Sequence, residues 1–136
     1  MSTGRTHKRL RFERADVHEE AHGQCRVEVT FTLSERIITA AAIGACEGAG
    51  RLKAAASAAL KAVGDTVEGR FTCKLADLDH VNALGKDLIG VLVDVMFEER
   101  EMQVFGSCQI ADSETDAAVK AALNATNRFF ELAMRG

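Results

Sequence analysis

The chain has 136 residues, 17 basic against 20 acidic for a net charge of −3, and no proline, tryptophan or tyrosine. The 47% hydrophobic content suffices for one cored domain. The lack of a basic surplus argues against nucleic acid as partner, and no apolar run approaches the ~20 residues that a membrane-spanning helix needs.

Met1–Arg9 is basic and polar. It reads as a disordered tail and lacks the apolar stretch of a secretory leader. From Leu10 the pattern alternates, with Leu10, Phe12 and Val17 on one side and Arg11 and Glu13 on the other. A polar turn around Gly23 follows. Cys25, Val27, Val29, Phe31 and Leu33 then share one face of a strand whose other face, Arg26, Glu28, Thr30 and Thr32, is polar. The short Ser34–Arg36 turn predicts a hairpin with a third strand over Ile37–Cys46, despite its alanines. Gly48 and Gly50 interrupt. Leu52, Ala55, Ala56, Ala59, Leu60 and Val63 then recur at helical spacing, with Gly64 as the expected C-terminal cap.

The pattern restarts at Arg70–Leu78, where Phe71, Cys73 and Leu75 alternate. His80–Lys86 reads as a turn region. Asp87–Glu99 is a long strand with Val91, Val93, Val95 and Phe97 on one face. Arg100–Ile110 is another, with Met102, Val104 and Gly106 on one side. Ser113 is the expected N-cap of a last helix. Glu114 and Asp116 fall in its first turn, and its stripe is Val119, Ala122, Leu123, Thr126, Phe129 and Phe130.

The two halves match. Phe12–Val17 aligns with Cys73–Leu78, Val27–Phe31 with Val93–Phe97, Glu35–Arg36 with Glu99–Arg100, and Ala54–Ala62 with Ala117–Ala125, at offsets of 61, 66, 64 and 63. Four ordered matches predict an internally duplicated β-β-β-α unit, residues 10–64 and 70–136. The fold class is α+β, with antiparallel strands and two helices covering the apolar sheet faces about a pseudo-twofold. A unit of about sixty residues is marginal alone, so the pair should share one core.

The stretches Glu47–Ala55 (EGAGRLKAA) and Ala111–Arg128 (ADSETDAAVKAALNATNR), the latter containing Leu123, Asn124 and Asn127, together with this duplication, resemble the C-terminal regulatory domain of 2-isopropylmalate synthase and citramalate synthase. Arg51 and Leu52 stand where that family usually has a proline. The resemblance implies a dimerising, ligand-sensing module. It places an effector site near Gly48, Ala49 and Gly50 and near Asp112 and Ser113, where helix N-termini offer free N–H groups to a small carboxylate or amino acid.

Catalytic signals are weak. His18, His22 and Cys25 have a ligand-like spacing with no visible fourth ligand, so a polar turn is the better reading and no metal or other cofactor is expected. His80 with Asp77 and Asp79 could form an acid–base pair, but Asp77 aligns with Asp16, which favours a structural role. No P-loop, dinucleotide fingerprint, nucleophile elbow or C-x-x-C is present. The four widely spaced cysteines, Cys25, Cys46, Cys73 and Cys108, read as buried reduced thiols of a cytoplasmic protein. Leu92, Met96 and Phe105 fall on what should be the outer face of the second sheet and are the candidate interface of a homodimer. The expected function is a non-catalytic dimerising regulatory or small-ligand-sensing module. The alternatives are a small enzyme with its site between the repeats, or a structural self-assembly protein.

Overall fold

The computed structural model describes residues 9–135; most of the expected N-terminal tail lies outside the described residues. The strands are β1 (Arg11–Glu19), β2 (Gln24–Leu33), β3 (Arg36–Ala45), β4 (Phe71–Ala83), β5 (Lys86–Phe97) and β6 (Arg100–Gln109). The helices are α1 (Gly50–Thr66) and α2 (Glu114–Arg135). The strands form two antiparallel three-stranded sheets, β1-β2-β3 and β4-β5-β6, each followed by its helix. This is an α+β fold with the duplicated β-β-β-α layout.

Register makes the duplication concrete. Both β2–β3 and β5–β6 turn in two residues, Ser34–Glu35 and Glu98–Glu99, pairing Leu33 with Arg36 and Phe97 with Arg100. An offset of 64 therefore runs through the whole hairpin. It sets Val27 against Val91 and corrects the Val27–Val93 match by two residues, a slip that leaves every side chain on its own face. Under that offset the buried residues agree: Cys25, Val27, Val29 and Phe31 correspond to Ile89, Val91, Val93 and Val95. Asp16 pairs with Glu28 and Asp77 with Leu92, so the two aspartates are also equivalent.

The helices pack on one another. α1 lies on β2 and β3 and also meets β4 of the opposite unit; α2 lies on β5 and β6 and reaches β1. Burial on several sides explains the alanines. Ala54, Ala55, Ala56, Ala58, Ala59 and Ala62 of α1, and Ala117, Ala118, Ala121 and Ala122 of α2, are all buried. Small side chains let each helix approach a sheet, a helix and a foreign strand together. The approach is closest at Gly44, where a Cβ would strike the Gly50 carbonyl, and at Gly106, where it would strike the backbone of Ala121 and Ala125.

Three local expectations change. α1 continues through Gly64 to Thr66; it stops where Val67 N–H returns to the Val63 carbonyl at 3.1 Å and Gly69 N–H to that of Gly64 at 3.4 Å. β4 extends to Ala83, because pairing with β5 continues through His80–Ile89 and Asn82–Asp87 until the Leu84–Gly85 turn. Both turn residues have positive φ, 54° and 76°, the mirror-image turn that suits a tight hairpin and for which glycine is the natural occupant of its second position. Third, Cys25 and Cys46 form a disulfide, with Cα atoms 5.0 Å apart, where reduced thiols were expected. Sequence separation is no guide here. The hairpin sets Cys25 opposite Gly44, and the chain curls back just beyond, with Cys46 N–H bonded to the Gly23 carbonyl at 3.0 Å. Cys73 and Cys108 are free and half-buried.

Candidate functional site

The residues before the two helices are built differently. Gly48 and Ala49 form the turn that leads into α1, and Ala49 supplies no side-chain cap. No acidic residue lies in the first turn of α1; Arg51 and Lys53 do. The free N–H groups and Arg51 make this end electropositive, while Lys53 shares its charge with Asp77, 4.0 Å away. Gly50 has a packing role: a Cβ would run into the backbone of Ala45 at the end of β3. The disulfide lies immediately upstream and pins the segment through Cys46.

Before α2, Ser113 caps as expected: its Oγ accepts from Asp116 N–H at 3.2 Å, and Ala117 N–H reaches the Ser113 carbonyl at 3.1 Å. Glu114 and Asp116 occupy the first turn. This N-terminus therefore supplies its own acceptor and its own negative charge. Asp112 is an exposed bend residue. The α1 end sits against β3, the α2 end beside the β4–β5 hairpin, and no hydrogen bond joins them among the described residues.

His80 does not meet Asp77 or Asp79 through its ring. The Oδ1 of Asp77 accepts from Leu78 N–H at 2.8 Å and that of Asp79 from His80 N–H at 2.9 Å, both local backbone bonds. Asp77 sits at a β-bulge with the Lys53 ammonium 4.0 Å away. The imidazole instead stands between Asp87, 3.8 Å from Nε2, and Glu114, 3.7 Å from Nδ1. All three belong to the second unit and are partly exposed. Cys25 is bonded to Cys46 and is not a free thiolate for His18 and His22. No group of three or more metal-binding side chains occurs among the described residues.

The outer faces of the sheets are the other candidate. Leu92 pairs with Phe105 across β5 and β6, on the side away from Val91 and Val93. Phe105 is 63% exposed and Met96 39%, while Leu92 is half-buried. The Phe105 ring lies over Gly90, where a Cβ would come within 3.1 Å of its carbons. A shallow hollow of about 680 Å³ adjoins them, lined by Lys74, Asp94, Met96 and Gln103. The first sheet is less polar outside than its central strand implied. Ile37 and Ile43 of β3 are 74% and 58% exposed; they pair with Thr32 and Arg26 on that outer face. Their spacing of six, even in a strand, was the available signal.

No protein-family model matches the chain, and no curated protein matches it either. No helix among the described residues is long and apolar enough to cross a membrane.

Proposed function

We propose that the protein is a non-catalytic regulatory module that dimerises through the outer face of its second sheet and senses a small ligand at the start of α1. The observation that supports it best is the apolar patch of Leu92, Met96 and Phe105, on a face that neither helix covers, in a fold whose duplicated unit resembles a dimerising regulatory domain. An apolar patch on the wet side of a sheet is more economical as a partner surface than as bare surface. A twofold pair is the simplest way for one chain to cover it. Light scattering after size exclusion should give twice the chain mass, and Leu92→Glu with Met96→Glu should give the single mass with the far-ultraviolet spectrum retained. A double variant of unchanged mass would overturn the interface.

For the ligand, the α1 N-terminus is favoured over Asp112 and Ser113, because the latter end already carries its own carboxylates. The ligand class is a small carboxylate or amino acid, met by backbone N–H groups beside Arg51 and Lys53. A thermal-shift screen of such compounds should find a stabilising one. That shift should vanish in Ala49→Glu, which adds a competing anion without entering the Gly50 contact; a shift that survives would remove this site from the proposal.

A cytoplasmic setting is part of the proposal. There the glutathione pool would hold Cys25 and Cys46 open, so protein acid-trapped from intact cells should carry four alkylatable thiols. Two would place it in an oxidising compartment.

A further inference from the structure

The two halves part company where their packing should be most alike. With the hairpins offset by 64 and the helices by 63, Leu33 is the counterpart of Phe97 and Thr66 the counterpart of Phe129. In the second half Phe97 and Phe129 meet with ring centroids 5.8 Å apart, and Phe71 stands 6.2 Å and 5.9 Å from them. That place is filled. In the first half the smaller Leu33 and Thr66 leave it open. A hollow of about 350 Å³ remains there, lined by Leu33, Val67 and Met134 as its apolar part and by Arg36, Arg70 and Glu68 as its charged part.

Two arginines line this hollow. Arg70 donates through Nη1 to the Ala133 carbonyl near the end of α2, which holds its guanidinium; among the described residues its other N–H groups meet no acceptor. Arg36 opens β3 opposite Leu33, on the face that turns toward the helices. No carboxylate lies within 4.0 Å of either guanidinium among the described residues. Leu33 and Val67 are buried, so the hollow has an apolar floor beneath its cationic rim.

We propose that this hollow binds a small monocarboxylate with a short apolar chain. The carboxylate is recognised by Arg36 and Arg70, since a guanidinium fork matches a carboxylate. The chain replaces the missing aromatic filling over Leu33, Val67 and Met134. Glu68 at the rim repels further negative charge and so selects against phosphate and dicarboxylates. The volume is that of a small-ligand site. The proposal is separate from the α1 N-terminus, which lies at the other end of that helix.

Titration of the whole chain with hexanoate, followed by backbone amide chemical shifts, should move the signals of Leu33–Arg36 and Thr66–Arg70. Hexanol and inorganic phosphate should each bind at least about tenfold more weakly, one lacking the charge and the other the apolar chain. Arg36→Gln, an exposed substitution, should weaken hexanoate by about tenfold or more. Thr66→Phe, which restores the aromatic of the second half, should abolish binding. If Thr66→Phe does not fold, Arg36→Gln decides alone. Unmoved signals in those two segments, phosphate binding as tightly as hexanoate, or undiminished hexanoate binding in Arg36→Gln would each overturn the proposal. A compound that binds at α1 instead would move the amides of Gly48–Arg51, so the two sites are told apart in one spectrum.

Discussion

Cys73 shows what a single position reports. Its thiol sits on the inward side of β4, 3.5 Å from the Leu60 carbonyl of α1, and burial pushes its pKa up from 9.0 to about 11. Burial favours the neutral thiol, and no cation offsets that preference. With the Cys25–Cys46 disulfide closed and in a Cys108→Ser background, alkylation at pH 8 should run roughly 100-fold slower than for a model thiol, because two pK units remove that factor of thiolate. A near-model rate would mean that the α1–β4 contact opens easily. The unfolded chain ionises this thiol above about pH 9 and the folded chain only near 11, so its contribution to stability is whole below pH 9 and is lost as pH rises between those values. Replacing Cys73 by Ala should flatten that alkaline decline. At this scale the sequence was legible for Ser113, whose hydroxyl caps α2, and for the outward position of Leu92, Met96 and Phe105. It was not legible for the Cys25–Cys46 pair, which only the hairpin brings together, or for His80, whose neighbours Asp87 and Glu114 come from another strand and a helix.

Elements were readable to the extent that their periodicity was one-sided. β2 and β5 alternate because one face is dry, and their faces are as the pattern implies. The later part of β4 is hard to read because His80 and Asn82 put polar side chains where the inward face of Leu78 continues; only pairing with β5 keeps them in the strand. Gly64 was a plausible helix end by residue type, yet the helix passes through it because Ala62 and Val63 are held in the core. The glycines thus separate into those that space elements and those that do not. At Gly106 an added Cβ would meet helix backbone, which cannot swing away, so Gly106→Ala should cost about 1–3 kcal/mol. At Gly64 nothing lies within 4 Å of such a Cβ, so Gly64→Ala should gain about 0.5–1 kcal/mol by lowering the entropy of the unfolded chain. Urea midpoints at constant slope would measure both. Equal shifts of the same sign would show that α2 does not rest on β6 as closely as described.

For the whole molecule, the question is whether either unit is a folding entity. α1 buries its alanines against its own β2 and β3, but also against α2 and against β4, and α2 reaches back to β1. The Arg70–Ala133 bond ties the connection between the units to the end of the last helix. A unit of about sixty residues gives up a smaller share of its surface on folding than a full domain does. Detaching it would also expose the apolar side of its helix. Residues 9–68 alone, with the disulfide intact, should therefore show little helix and no cooperative melt, and residues 69–136 likewise. Mixed in equal amounts, the two should regain the helical spectrum and a concentration-dependent melting temperature, as expected when association and folding are one step. A cooperative melt of either fragment by itself, independent of concentration, would show that the core divides at the repeat boundary. The helix–helix contact would then be docking between two finished domains, and the alanine-rich faces would need another explanation.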